Sequence, residues 1–535
     1  MLIPNIKKQE MREGKIQLNT FVFSGNSQFA LFAKNYISSY MQGEHSTGAN
    51  GNVMLIQNKN LLDGGYLLDI DEDIRIEFCN RDGLRNALST IILLVESKSP
   101  IFFLQKQSIQ DEPDCAFRSV LIDLARGLPD YQRLKEDVKR LALAKCNYLH
   151  LHLMDSMGIC YQSNVLKMEN GIRGTKLYTK EQMKDLVCYC DGLGIEIIPE
   201  FEVPAHAHYM VTTYPEFACQ TDLETQQSPA VLCAGNERMY EFYSKLIDEI
   251  CDIFPSQYIH MGGDELSFGD FPEWNYNVNW LDCKVCKKKM QEEGLNGIQD
   301  LYYYLVNRIY AMVSKRAKTL VMYNDQIDVS KPVPIPKDII IQFWRISHKS
   351  RGPRLDCSYR KFLEQGFKVI ASPYEFAYID LEEYATPEKC SWIDFKNYKN
   401  TQDLHENVLG GEVCAWEYGN PSYTHYTFSF TSAAILLLAK MWNGKSVVYD
   451  EGYRQGLTKL IFGGETPIEY DVFELFGSIM PPRVNNHALS YLTDADGFLS
   501  DQEFAYHKGV LDNLKDTYSP IYRANLLAYL QNILK

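Results

Sequence analysis

From Phe117 onward, near-continuous apolar runs alternate with amphipathic ones. The apolar runs fall at 117–125, 148–155, 195–203, 258–265, 319–325, 338–344, 368–375 and 409–417, each with the length and texture of a strand buried on both faces. Helical patterns lie between most of them, at Tyr131 to Lys145, Thr179 to Leu193, Glu237 to Phe254 and Gln299 to Lys315. Eight such strands with interposed helices predict a (β/α)₈ TIM barrel of the α/β class. The apolar helix Ser429 to Trp442 would complete it.

Before the barrel the texture is different. Short β-like runs (Gln17 to Phe23, Val53 to Gln57, Tyr66 to Ile70, Ile74 to Phe78) surround two helical stretches, Ser27 to Met41 and Gly83 to Val95. This predicts a compact α+β unit. The polar string Ser108 to Asp114 reads as a linker, with Glu112 held extended by the proline after it. The expected domains are therefore 1–110, a small α+β domain; 111–445, the barrel; and 446–535, a mostly helical extension broken at Pro481-Pro482.

Composition narrows the class of partner. A net charge of −15 opposes binding to nucleic acid, whose phosphates it would repel. No apolar run reaches the length of a membrane span. The segment Met1 to Glu10 lacks the apolar core of a signal peptide, so a cytoplasmic location is expected, with export open if a leader precedes it. On that basis the 14 cysteines read as reduced thiols. Cys283-Lys-Val-Cys286 stands as a lone CxxC with no second pair nearby in the chain, and no metal site is expected from it. The 35 Tyr and 26 Phe suit a wide barrel or a site that stacks on sugar faces.

The strongest chemical signal is Tyr258-Ile-His-Met-Gly-Gly-Asp-Glu265. An apolar strand ends in two glycines, which turn the backbone and deliver two adjacent acids just past the strand. One ionised carboxylate can raise its neighbour's pKa, which suits general acid catalysis. Other strand ends add Arg118, Asp123, Asp155, Glu200, Glu202, His206, Tyr323, Asp325, Trp344, Tyr374, Tyr378, Asp380, Trp416 and Glu417. Acids, an arginine and aromatics converging on one barrel mouth are suited to binding and cleaving a sugar.

These segments resemble glycoside hydrolase family 20, the β-N-acetylhexosaminidases. The likeness is carried by HMGGDE, by Phe117-Arg-Ser-Val-Leu-Ile-Asp-Leu-Ala-Arg126, by Asn147 to Asp155, by Ile198-Pro-Glu-Phe-Glu-Val-Pro-Ala-His206, and by Trp344, Tyr378-Ile-Asp380 and Gly410 to Trp416. Asp69 to Val95 resembles the zincin-like domain that precedes the barrel in that family, so the likeness spans roughly residues 16 to 445. It implies exo-acting hydrolysis of terminal β-linked N-acetylhexosamine from a glycan, with retention of configuration. The nucleophile is the substrate's own 2-acetamido oxygen, which closes to an oxazolinium intermediate.

The same resemblance assigns roles by position. Glu265 is the general acid and later base, Asp264 holds the acetamido N–H, and Tyr378 donates to the acetamido oxygen. Asp155 and His206 support Glu265. Arg118 binds ring hydroxyls, Trp344 and Trp416 wall the pocket, and Asp380 binds an outer hydroxyl. No cofactor and no catalytic metal is implied. Three positions depart from the family pattern: Tyr323 where a tryptophan is usual, Asp155-Ser-Met157 after the second strand, and Glu417 directly after Trp416. These leave GlcNAc against GalNAc preference, linkage and a 6-O-sulfated substrate open. The sequence is compatible with a homodimer and does not fix the assembly.

Two other readings compete. A metal-dependent barrel hydrolase could use His150-Leu-His152 with His206, His208 and Asp264. A catalytically silent sugar-binding barrel would be marked by loss of the acid, yet Glu265 is present.

Overall fold

A computed structural model describes residues 2–444 apart from 97–100, 169–175, 220–230, 267–279, 346–355, 380–392 and 417–425, with a few positions between 452 and 460. The helical reading of the 446–535 extension lies almost wholly outside the described residues.

The N-terminal unit is one mixed sheet of seven strands: β1 (Lys8–Leu18), β2 (Val22–Ser24), β3 (Ser46–Thr47), β4 (Val53–Gln57), β5 (Tyr66–Ile70), β6 (Ile74–Phe78) and β7 (Phe102–Asp111). Their order is β1-β7-β5-β6-β4-β2-β3. Helices α1 (Ser27–Tyr40) and α2 (Arg81–Leu94) start at Asn26 and Asn80, whose side chains accept from the first free backbone N–H groups. Two expectations need correction here. The stretch Gln17 to Phe23 is not one strand but the end of β1 and the start of β2. The supposed linker Ser108 to Asp114 is mostly strand, because β7 pairs with β1 on one side and β5 on the other. Ladder bonds on both edges outweigh the low β-propensity of its polar residues.

The barrel follows with β8 (Phe117–Asp123), β9 (Tyr148–His152), the small hairpin β10 (Met154–Asp155) and β11 (Gly158–Ile159), β12 (Glu196–Glu200), β13 (Tyr258–His260), β14 (Thr319–Tyr323), β15 (Ile340–Phe343), β16 (Val369–Ala371), β17 (Tyr378–Ile379) and β18 (Val408–Ala415). Eight parallel strands close through the β16–β18 pairing, and β17 extends the ladder at the mouth beside β18. All eight expected barrel strands are present. Around them run α3 (Tyr131–Leu143), α4 (Lys180–Gly192), α5 (His208–Thr213), α6 (Glu237–Ile253), α7 (Lys284–Glu293), α8 (Ile298–Ser314), α9 (Tyr359–Glu364), α10 (Tyr374–Ala377) and α11 (Tyr426–Trp442). Sequence caps set their starts: Asp130 for α3, a Thr179–Gln182 capping box for α4 and Asn236 for α6.

A buried polar knot joins the two units. Arg118, at the N-terminal end of β8, donates to the carbonyls of Lys145, Cys115 and Ala116 and to Asp82 Oδ2 at 2.8 Å. Asp82 opens α2 and also pairs with Arg85. Burial alone would raise Asp82, but the Arg118 and Arg85 guanidiniums outweigh it and hold its carboxyl below the usual range. Alongside, Lys145 Nζ lies 3.2 Å from Asp111 Oδ2 and 3.9 Å from the ring centre of Trp442, whose Nε1 donates to the same carboxylate.

The isolated CxxC is also a correction. Cys283 and Cys286 open α7, and Cys219 and Cys233 fold against them from another loop. Sequence spacing hid this because the partners lie 50 residues or more upstream. No two of the described cysteines are joined in a disulfide.

Replacing Asp82 by Ala strands two fully buried guanidiniums. It is expected to lower unfolding free energy by about 3–5 kcal/mol, read from the urea midpoint. A loss below about 1 kcal/mol would show that the knot contributes no more than a surface pair.

Candidate active site

After β13 the chain crosses Gly262 (φ +65°) and Gly263 (φ +91°) before reaching the two acids. A Cβ on Gly262 would collide with the Glu202 carboxylate from the β12 end. The turn is held by Tyr302, whose hydroxyl donates to Gly263 O at 2.6 Å. Glu265 (φ +56°) and His206 (φ +49°) both sit in the left-handed region without being glycine. Such backbones cost of order 1–3 kcal/mol and persist where the surroundings over-determine them.

Those surroundings are visible. Asp325, just past β14, accepts the Glu265 N–H at 3.0 Å, the Trp344 indole N–H at 3.1 Å and Arg345 at 3.1 Å. One carboxylate therefore fixes the backbone of one acid and the plane of one pocket wall. The Glu265 side chain, partly exposed, lies 3.3 Å from His206 Nε2 and 3.9 Å from Arg345. On the other side of its ring, His206 Nδ1 lies 3.0 Å from Asp155 Oδ2. Burial would raise Asp155, but Arg126, His206 and His152 hold it well below its ordinary value.

Asp264 has the opposite environment. Burial pushes its carboxyl up to about 7; nearby His206 opposes this, while Asp325 and Glu265 add to it. Its Oδ1 is buried with no hydrogen-bond partner among the described residues, and the same holds for the hydroxyl of Tyr323. A buried acceptor left unmade costs about 1–3 kcal/mol, which an N–H from a bound ligand would recover. The acid oxygens of Asp264 and Glu265 and a ring nitrogen of His206 lie within 4.8 Å of one another.

Aromatics wall the space. Trp344 and Tyr378 stack at 5.9 Å with 12° between planes, and Trp416 lies 5.8 Å from Tyr378. Tyr323 joins the same cluster. The expected positions Glu265, Asp264, Tyr378, Asp155, His206, Trp344, Trp416 and Tyr323 thus come together at one mouth. Asp380 and Glu417 lie outside the described residues.

Arg118 does not join them. Its donors are taken at the far end of β8, because a residue at the start of a barrel strand faces the bottom. The guanidinium that this strand sends to the mouth is Arg126, three residues beyond the end of β8. It lies 2.6 Å from Asp155 Oδ2, 3.0 Å from Asp123 Oδ2 and over the Trp416 ring at 5.1 Å. The position of Arg126 past the strand end, rather than before it, was the signal in the sequence.

Below the mouth, Glu200 is gripped by His152 (2.6 Å), His260 (2.9 Å) and His150 (3.3 Å). The Glu412 and Glu200 carboxylates overcome burial to raise His150 to about 10, and Glu200 with Asp155 does the same for His152, to about 9. The HxH pair is therefore committed to carboxylates, and His208 is exposed on α5. Glu202, buried beside Asp264 and Glu200, is raised well above its ordinary value.

Residues 115–429 match the family model "Glycosyl hydrolase family 20, catalytic domain". The chain belongs to that family. It is 26% identical over 376 residues to a beta-hexosaminidase of Vibrio furnissii, covering 65% of this chain and 58% of that one. It is 25% identical over 378 residues to a beta-hexosaminidase of Akkermansia muciniphila, covering 65% and 73%. In structure it resembles a family 20 exo-β-N-acetylglucosaminidase of Vibrio harveyi solved with N-acetylglucosamine: TM-score 0.72, 20% identity, 86% of this chain and 76% of that one.

The two arginines separate by measurement. Arg126→Met should raise KM for an aryl N-acetylhexosaminide about tenfold or more, the scale of a lost charged contact, with the larger stability loss in Arg118→Met. A normal KM in Arg126→Met with a raised KM in Arg118→Met would reverse the assignment.

Proposed function

We propose that the protein is an exo-acting, retaining β-N-acetylhexosaminidase that removes terminal GlcNAc from glycans by substrate-assisted catalysis. GalNAc and 6-O-sulfated GlcNAc are the further substrates to be tested. The observation that carries this reading is the pair Asp264–Glu265, delivered side by side from one strand end with Asp264 Oδ1 buried and open to a donor.

A double displacement by enzyme groups needs an acid on the leaving-group side and a nucleophilic carboxylate on the opposite face of the sugar. The acid oxygens of Asp264 and Glu265 lie within 4.8 Å of one another, closer than the roughly 5–5.5 Å of a pair that flanks a ring. Among the described residues Asp325 is engaged by Trp344, Arg345 and the Glu265 N–H, and Asp155 by His206, His152 and Arg126, while burial with Asp264 and Glu200 nearby raises Glu202 well above its ordinary value and disfavours its nucleophilic form. A nucleophile from the substrate itself resolves the geometry. The 2-acetamido oxygen attacks C1 as the glycosidic bond breaks, and the leaving oxygen takes the proton of Glu265. Asp264 Oδ1 accepts the acetamido N–H and balances the positive charge growing on the oxazolinium ring. Glu265, now ionised, takes a proton from the water that opens that ring at C1 and returns to its starting state. His206, backed by Asp155, keeps the Glu265 carboxyl in line through both steps.

Glu265→Gln should remove most activity on glycosides with poor leaving groups and less on aryl glycosides with acidic ones. Equal losses on both would argue against Glu265 as the acid. Asp264→Asn should lower kcat about 10²-fold or more, and a thiazoline mimic of the cyclised intermediate should bind far more tightly than GlcNAc. Efficient cleavage of the matching 2-hydroxy glycoside, with no thiazoline inhibition, would sink the mechanism.

The pH dependence follows from Asp264. The carboxyl must be ionised to accept the N–H, and its pKa in the free protein is raised to about 7. The log of kcat/KM should therefore show a rising limb as pH approaches about 7, set by ionisation of Asp264. Asp264→Asn should abolish that limb; a limb unchanged in the variant would assign it to another group.

A further inference from the structure

Two connections at the barrel mouth meet at four cysteines. Cys219 follows the turn Pro215–Phe217, and Cys233 precedes α6; both lie between β12 and α6. Cys283 and Cys286 open α7, in the connection that begins with Asp264 and Glu265. Cys233 Sγ lies 3.6 Å from Cys283 Sγ and 3.5 Å from Cys286 Sγ, and all four sulfurs lie within 4.8 Å of one another. Three of the four are fully buried.

The spacing discriminates between chemistries. A disulfide would bring two sulfurs to about 2.05 Å. A tetrahedral ion with metal–sulfur bonds of about 2.3 Å holds its thiolates about 3.8 Å apart, close to what is seen. An iron–sulfur cluster must fit its own atoms among the thiolates and so spreads them wider.

Ordinary packing of four small apolar thiols does not account for the convergence. The sulfurs face one another from three separate segments, and the backbone is specialised to let them. Gly235 lies so close to α7 that a Cβ would meet Val285 O at 2.7 Å and Cys286 Cα at 2.9 Å. Ala218 and Leu232 bridge as an antiparallel pair, bringing Cys219 and Cys233 together. The buried indole of Trp280 donates to Leu232 O at 2.9 Å, closing one connection on the other. The charge pattern also fits. The first half of α7 carries Lys284, Lys287 and Lys288 and its first turn has no acid, an arrangement that runs against the helix dipole. Four thiolates around a divalent ion leave a charge of 2−, which reverses that penalty.

We propose that Cys219, Cys233, Cys283 and Cys286 bind one structural zinc ion, which pins the connection carrying the catalytic acids to its neighbour. The ion has no open coordination position and takes no part in the bond cleavage, so this inference stands or falls apart from the proposed activity. Binding replaces each thiol proton by a bond to the ion, and the protons leave to solvent.

The test uses the full chain, purified under reducing conditions without chelator or immobilised metal. Elemental analysis should find about one zinc per chain, as a closed four-thiolate site requires. Exchange with cobalt should produce the intense visible bands of a tetrahedral thiolate site, and removal of zinc by a strong chelator should lower Tm by several degrees. Cys283→Ser should lose the metal. Because that variant can misfold, wild-type protein is also alkylated with iodoacetamide: zinc should protect these four thiols together, while chelator exposes them. Absence of metal after reconstitution of the reduced protein with zinc, iron in place of zinc, disulfides among the four, or alkylation indifferent to zinc would each overturn the proposal.

Discussion

The site rests on one buried charge. Glu200 carries an ionised carboxylate inside the barrel, where its transfer from water would be prohibitive without compensation. His150, His152 and His260 supply that compensation from the two flanking strands and hold its carboxyl well below the ordinary range against the effect of burial. From this anchor an alternation of acid and base climbs toward the mouth. Glu200 meets His152, His152 meets Asp155 at 3.1 Å, Asp155 meets His206, and His206 meets Glu265. Each link orients the next, so the position of the outermost acid is set from the core.

The pair Asp264–Glu265 shows how neighbours in sequence acquire different chemistry. Glu265 is partly exposed, with Arg345 and His206 beside it. Asp264 is turned inward toward Glu202 and the aromatic wall, where burial disfavours its charge. The left-handed backbone at Glu265 is what separates the two side chains. Its cost is offset by Asp325, which binds the Glu265 N–H while also holding Trp344.

Much of this was legible in the sequence, for identifiable reasons. Periodicity set the eight strands and the principal helices, because a strand buried on both faces and an amphipathic helix leave different signatures. The HMGGDE string located the acids because glycines at a strand end can only serve a turn. What was lost was direction and long-range contact. Arg118 and Arg126 lie in the same quoted segment, and strand register, not residue type, decides which reaches the mouth. Polarity alone hid the last strand of the N-terminal sheet. The CxxC was read as solitary because local spacing cannot report a partner brought in by a different loop.

The knot at the foot of the barrel bears on modularity. The family match begins at residue 115, yet Asp82 and Asp111 precede it and neutralise Arg118 and Lys145 inside it. A gene fusion or domain exchange cut at that border would leave two cations facing an apolar floor with nothing to balance them. The small sheet is thus part of the barrel's own base plate, and inheritance of the catalytic unit requires inheritance of its neighbour.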